Sequence, residues 1–404
     1  MPNSFPRSFR LLVITQFLTV FNDNAFKQTV LLLALANESM TGDPQARAGL
    51  VFALPFLLFA VFAGDLADRT SKRNLLLYTK WVEAGVMALA TFSLWRGDLV
   101  LGLVALFLMG MQSAFLGPAK YGIVPELVSD KKLSDANGFL QASVMVGILL
   151  GTGSAGFLKM GLSEHLWVAG LLFTVIALIG VWVAHGIEPP PAADPKRCLH
   201  FNPLTRLRVG LRLASKTAGL LPAIFGHGIF WLVGGLGLFA WNEVGTGFSH
   251  ISEGLWTAGL ASLSISVGLG SLCAGRLSRH RPRPSFVTRG AAAMAVGYCF
   301  VYWGPHNPWV VWVGCLASNF FMGFYLIPLK AILQSLPAPT EKGRIQGASQ
   351  MMDWIFIVGA SLVKEGLSGI GLRGMETFPV MAGIMAITAL FLRFVRPMAR
   401  MNLV

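Results

Sequence analysis

Apolar residues run along this chain in stretches of about 20, the length a helix needs to cross the hydrocarbon core of a bilayer. They cover 9–36, 46–66, 74–95, 99–119, 136–160, 165–185, 217–243, 252–275, 285–304, 308–331, 343–371 and 374–396. The pattern predicts an all-α polytopic membrane protein with twelve transmembrane helices. Between the sixth and seventh spans, residues 186–216 are first proline-rich (Pro189, Pro190, Pro191, Pro195) and then basic. This stretch reads as a linker between an N-terminal six-helix bundle, 1–185, and a C-terminal one, 217–404. One span departs from the pattern. TVFNDNAFKQTV, residues 19–30, puts Asn22, Asp23, Asn24, Lys27 and Gln28 where hydrocarbon should be.

The start of the chain imitates a secretory signal, with Arg7 and Arg10 before an apolar run and Ala34-Leu35-Ala36 as a mock cleavage site. The run is too long and polar in its middle, so a retained first helix is expected. The chain is 54% hydrophobic and 13% charged, about half the charge of a soluble protein. Its net charge of +13 would suit nucleic acid in a soluble protein. Here the basic residues sort by loop. One side collects Arg7, Arg10, Arg69, Lys72, Arg73, Lys120, Lys131, Lys132, the cluster Lys196–Lys216, Arg276–Arg289, Lys330, Lys342, Arg344 and Arg393–Arg400. The other receives Arg47, Arg96, Lys159, Lys364 and Arg373. The positive-inside rule then makes both termini and the linker cytoplasmic, and accounts for the charge with no nucleic-acid partner.

The two halves echo each other at an offset near 210. Phe21 matches Phe230, Gly64-Asp65-Leu66 matches Gly275-Arg276-Leu277, Pro118-Ala119-Lys120 matches Pro328-Leu329-Lys330, and Asn137-Gly138 matches Gln346-Gly347. A duplicated six-helix unit is expected, giving two pseudo-symmetric bundles that run the same way through the membrane and can rock about a central cavity.

GDLADRTSKR, residues 64–73, resembles the loop between the second and third helices of the major facilitator superfamily, with Ser71 in place of the family's second glycine. The resemblance implies the major facilitator fold and a conformational switch built from Gly64, Asp65, Asp68, Arg69 and Arg73. By that resemblance Asp68 meets the N-terminus of the eleventh span, near Gly343 and Arg344. FNDNAF (21–26), PAKYGIVPEL (118–127), KLSDANGFLQAS (132–143), IPLKAILQ (327–334) and GRIQGASQ (343–350) are similar to the bacterial lysophospholipid transporter family. That similarity implies a flippase of the bacterial inner membrane. It would move lysophospholipids from the outer to the inner leaflet by alternating access. An acyltransferase/acyl-ACP synthetase, expected here as a separate partner, would re-acylate them. Substrate and membrane lipids are then the ligands, with no cofactor.

A charge facing lipid at the depth of Asp23 would cost about 2.5–3.5 kcal/mol. Gln16, Thr19, Asp23 and Lys27 share one helix face, so the helix is expected to turn them inward. Asp23 and Lys27 are spaced to pair at i,i+4, with Asn24 and Gln28 alongside. The stripe can bind a polar headgroup, titrate as a coupling site, or lock helices as a neutralised pair. Lys80 and Glu83 of the third span are further candidates. Lys120 and Lys330 sit at matching ends of the fourth and tenth spans, where lysine suits a phosphate or anchors the helix by snorkelling. In the second half, His227, Asn319 and Asp353 lie at span depth.

Gly151-Thr152-Gly153-Ser154-Ala155-Gly156 fits GxGxxG, but inside a span it reads as close helix packing. No P-loop, HxxxxD acyltransferase pattern, serine-hydrolase elbow or metal-ligand spacing occurs, and the four cysteines form no CxxC. A transporter is expected, not an enzyme. The alternative substrate is another small amphipathic solute moved with protons. A membrane enzyme, or a scaffold for one, is the rival from a different class.

Overall fold

The computed structural model describes residues 5–35, 44–162, 165–199, 201–245, 247–248, 253–278, 283–304, 307–372 and 374–394. Of the residues named above, Ala36, Arg279, Arg281, Arg373, Arg396 and Arg400 lie outside the described residues, as do the side chains of Ala34, Leu35, Arg47, Lys159 and Arg393. Among the described residues the chain is helical, with three short 3-10 turns. The helices are α1 (Arg7–Leu35), α2 (Pro44–Arg69), α3 (Lys72–Arg96), α4 (Leu99–Leu127), α5 (Leu133–Gly161), α6 (Trp167–His185), α7 (Pro203–Lys216), α8 (Leu220–Gly245), α9 (Glu253–Leu277), α10 (Pro284–Trp303), α11 (Pro308–Ser335), α12 (Lys342–Gly369) and α13 (Thr377–Phe394).

Each of the twelve expected spans falls on one long helix. Among the described residues, nine of these are long and apolar enough to cross a membrane: α2 to α6, α8, α9, α11 and α13. The other three carry charge within their length: Asp23 and Lys27 in α1, Arg289 in α10, Asp353 and Lys364 in α12. Helix α7 lies within the expected linker and was not foreseen. Its start follows local rules, because Pro203 opens it and the Asn202 side chain accepts the Thr205 N–H at 3.0 Å. Leu207, Gly210 and Ala214 form its buried face, while Arg208, Arg212 and Lys216 are exposed. Gly97, at φ 65°, ends α3 in the left-handed region, and Asp98 caps α4 by accepting the Leu101 N–H at 3.0 Å.

Helix pairings repeat along the chain. α2 packs on α4, α3 on α4 and α6, and α1 on α4 and α6. One repeat later α9 packs on α11, α10 on α11 and α13, and α8 on α11 and α13. The chain forms two compact units. The first holds residues up to Val128 with Val146–Gly210 and Ala338–Met351; the second holds Ser129–Met145, Leu211–Pro337 and the residues from Met352 on. The first half of α5 thus packs within the second unit, and the first turns of α12 within the first.

The core of the first unit gathers Phe26, Val30, Met87, Leu106, Met109 and Phe173. In the second unit Trp241 stacks on Trp256 with ring centroids 4.2 Å apart, and each indole N–H donates to the other's carbonyl, at 3.2 and 2.8 Å. A buried indole N–H left without such a partner would be costly.

Candidate functional site

At one end of the first unit, α2 meets the start of α12. Their backbones touch because glycine lines the contact. A Cβ on Gly64 would run into the Gly343 carbonyl, and one on Gly347 would lie 2.5 Å from the Ala60 carbonyl. That approach seats the Asp68 carboxylate on the α12 N-terminus. It accepts the Gly343 N–H at 2.6 Å and the Arg344 N–H at 3.0 Å. These amides have no partner inside their own helix, and the helix dipole favours an anion there. Asp65, one turn earlier and fully buried, accepts from Arg344 Nε at 2.9 Å.

Two linker arginines complete the cluster. Arg197 Nη1 lies 3.3 Å from Asp65 and 3.3 Å from Asp68. Its Nε is 3.2 Å from Asp194, and its Nη2 donates to the Thr340 carbonyl. Arg206 Nε lies 3.3 Å from Asp65. In the sequence both arginines belong only to the basic linker; Arg197 reaches Asp65 from 132 positions away, which leaves no local spacing to read. Of the expected switch residues, Gly64, Asp65, Asp68 and Arg344 come together. Arg73 instead donates to the His185 and Ile187 carbonyls at 2.8 and 3.0 Å, tying α3 to the end of α6. Arg69 is exposed, with no hydrogen bond or ion pair among the described residues.

Halfway along α1 the polar stripe divides. Thr19 and Asn22 turn toward α3 and α6. There Lys80 Nζ and Glu83 Oε2 are 2.6 Å apart, both side chains fully buried. Lys80 also donates to Thr19 Oγ1 at 2.9 Å, and Asn22 donates to the Phe173 carbonyl at 2.9 Å and to Glu83 Oε1 at 3.4 Å. Asp23, half-buried, turns toward α4. It accepts from Ser113 Oγ at 2.6 Å and from Gln112 Nε2 at 3.5 Å. The Asp23–Lys27 pair that the spacing allows does not close within 4 Å, although the two charges interact electrostatically. Lys27 donates to Asn24 Oδ1 at 3.4 Å and lies 5.3 Å from the centre of the Phe52 ring, a cation–π arrangement. Ser113 and Gln112 were missed because one serine and one glutamine in an apolar helix carry no spacing signal. Lys120 is half-buried, its ammonium 4.5 Å over the Tyr121 ring.

On the far side of α1 from Asp23, an apolar groove of about 550 Å³ lies between α5 and α6, floored by Phe21 and Phe173 and flanked by Phe157, Leu158, Leu172 and Ile176. The GxGxxG segment lies in α5, and Gly151 lets that helix close on the α1 backbone at Phe21.

The second unit holds its own polar cluster at span depth. His227 Nδ1 is 2.7 Å from Asp353 Oδ1, joining α8 to α12. Lys330 donates to Gln141 of α5 at 2.6 Å and interacts electrostatically with Asp353. Asn137 and Gln334 exchange two hydrogen bonds, at 2.5 and 3.1 Å. Asn319 donates to the Cys315 carbonyl within its own helix at 2.9 Å. Among the described residues, no group of three His, Cys, Asp or Glu side chains is placed to hold a metal.

The chain is 26% identical over 397 residues to the lysophospholipid transporter LplT of Photorhabdus laumondii, covering 95% of this chain and 91% of the relative. It is 27% identical to LplT of Cronobacter sakazakii, covering 82% and 81%. A variant of the E. coli fucose:proton symporter superposes with a TM-score of 0.75 at 15% identity, covering 96% of this chain and 98% of that one. The human organic anion transporter MFSD10 gives 0.74 at 16%, covering 96% and 99%. These two likenesses concern the fold. A profile of the Major Facilitator Superfamily matches residues 12–361, more than four-fifths of the sequence, and the chain therefore belongs to that superfamily of membrane transporters and is not an enzyme.

Proposed function

We propose that the protein moves lysophospholipids across the bacterial inner membrane, from the outer to the inner leaflet, by alternating access. A separate acyltransferase/acyl-ACP synthetase would then re-acylate them. Relatives named for lysophospholipid transport, matched over 80–95% of the chain, support the substrate class. The observation that carries the reading is Asp23. It sits mid-helix, half-buried, with its carboxylate held by Ser113 and Gln112 and with Lys27 beyond ion-pair contact. An ionisable group at that depth marks a functional site by default.

In this reading twelve helices cross the membrane as two six-helix bundles, 1–185 and 217–404, with both termini and the 186–216 linker in the cytoplasm. Asp23, Asn24 and Lys27 meet the headgroup. Lys120 and the Lys330–Asp353–His227 cluster take part as the protein changes state, and the apolar groove beside α1 offers a surface for an acyl chain. The Asp68–Gly343–Arg344 contact holds the cytoplasmic end shut in one end state.

The test is uptake of labelled lysophosphatidylethanolamine into proteoliposomes with defined ion gradients. Uptake above protein-free vesicles, lost in Asp23→Ala, is expected. No uptake by well-folded protein refutes the proposal. A second reading, proton-coupled transport of another amphipathic solute, draws on the buried His227–Asp353 pair. It predicts proton-dependent dye movement and no lysolipid uptake.

A further inference from the structure

The Lys80–Glu83 pair is larger than the fold requires. Both side chains are wholly buried, and they are drawn together between α1, α3 and α6 with Thr19 and Asn22. Helix α10 takes the place of α3 in the repeated packing, yet it contains no acidic residue and no lysine. The helix arrangement is therefore built once without this ion pair. A buried ion pair is a weak source of stability, because removing two charges from water offsets most of their attraction. Its presence asks for another reason.

The surroundings of the ammonium supply one. Lys80 Nζ is met by the Glu83 carboxylate at 2.6 Å and the Thr19 hydroxyl at 2.9 Å. Next to them stands the Asn22 amide, which bridges Glu83 Oε1 and the Phe173 carbonyl. The Asn22 side-chain oxygen is buried with no hydrogen-bond partner among the described residues. The ammonium is thus met by a carboxylate and a hydroxyl, hard oxygen donors that also suit a hard cation, and the residue that bonds this carboxylate carries a buried oxygen with no partner of its own among the described residues. Room for the ammonium is cut into α6: a Cβ on Gly180 would lie 2.5 Å from Lys80 Cε and 2.6 Å from Nζ.

We propose that the Lys80 ammonium is a tethered substitute for a mobile monovalent cation. It permanently fills the place between the Glu83 carboxylate and the Thr19 hydroxyl, beside Asn22, so that the first unit holds its polar stripe in place without taking up an alkali ion. The inference rests on the geometry of the first unit and not on the identity of the substrate.

Shortening the tether should expose the site. Lys80→Ala leaves a buried carboxylate beside a vacancy that includes the ammonium's place, which sodium can enter. The measurement is thermal unfolding of purified protein in sodium chloride against choline chloride at equal ionic strength, choline being too large to enter. The wild type should unfold at the same temperature in both salts. Lys80→Ala should gain a saturable rise of about 2–4 °C in sodium, and Lys80→Ala/Glu83→Gln should lose it. If Lys80→Ala does not survive extraction, Lys80→Gln, which fills part of the space and keeps an amide donor, is read the same way with a smaller rise expected. Identical unfolding of the lysine variants in the two salts overturns the proposal and leaves Lys80–Glu83 as a structural pair. A saturable sodium effect on the wild type that Glu83→Gln removes also overturns it, because the site would then not be filled by the lysine.

Discussion

Asp68→Asn tests the contact between α2 and α12 most sharply. The asparagine keeps one carbonyl oxygen, which can still accept the Gly343 N–H now held at 2.6 Å. It loses the second acceptor and points an amide N–H₂ at the Arg344 N–H and at the Arg197 guanidinium, 3.3 Å from the carboxylate. A hydrogen bond to a charged group contributes about 1.5–3 kcal/mol, and an unsatisfied buried amide costs about 1–3 kcal/mol. Part of this returns because a neutral side chain avoids the desolvation cost of a buried carboxylate, which leaves a net loss of about 2–4 kcal/mol. At about 1.4 kcal/mol per factor of ten, the latched form should fall about 30- to 1000-fold against forms in which the contact is open. The assay is a spin-label distance between Arg69→Cys and Ala338→Cys, both exposed beside the contact, with the four native cysteines replaced. The parent should give one narrow distribution, and Asp68→Asn a broad one extending to longer distances. An unchanged distribution in Asp68→Asn would falsify the claim that this carboxylate holds the contact.

Three other outcomes are expected. Asp23→Ala should abolish lysolipid uptake in folded protein, and Ser113→Ala, which removes the 2.6 Å bond to Asp23, should reduce it at least several-fold, both read in proteoliposomes. Lys120→Ala should slow uptake more than Lys131→Ala, because Lys120 is half-buried and Lys131 exposed; equal and mild effects would reduce Lys120 to an anchor. His227→Phe should lose about 1.5–3 kcal/mol by removing the 2.7 Å partner of the Asp353 carboxylate, read as a lower unfolding temperature, and the added change Asp353→Leu should recover part of it.

How far the sequence carried this picture depends on the range of the signal. The helices were legible because an apolar run of about 20 residues has few other readings, and α7 was missed because its three buried positions are too few to register as a span. The partner of Asp68 was named from the family resemblance, whereas Arg197 and Arg206, which approach Asp65 through the fold, left no trace in spacing. The stripe in α1 was legible because charge at span depth is conspicuous, but spacing alone left its partners open. Spacing allowed Asp23–Lys27, and tertiary packing gave Asp23 to Ser113 of another helix instead. A local i,i+4 bond contributes about 0.2–0.5 kcal/mol and yields readily to a charge-assisted bond from a neighbouring helix.

The repeat makes a final prediction possible, because the contact between α2 and α12 has a counterpart between α9 and α5. At an offset of about 210, Ala60, Gly64, Gly343 and Gly347 become Ser271, Gly275, Ser134 and Gly138. The close approaches recur in kind: a Cβ on Gly138 would lie 2.6 Å from the Ser271 carbonyl, and one on Gly275 2.8 Å from the Ser134 carbonyl. The charges, however, are exchanged. Asp65 on α2 faces Arg344 on α12, whereas Arg276 on α9 faces Asp135 on α5, and the latter two interact electrostatically. The backbone geometry thus accepts either sign. What differs is the linker, since Arg197 and Arg206 both converge on Asp65. Exchanging the charges in the second contact, Arg276→Asp with Asp135→Arg, should restore much of the stability that either single change removes. The same exchange in the first contact, Asp65→Arg with Arg344→Asp, should not, because it packs three arginines together; adding Arg197→Ala and Arg206→Ala should then relieve it. Thermal unfolding of the single, double and quadruple variants decides the matter, and equal rescue in both contacts would show that the linker arginines do not set the sign of the first.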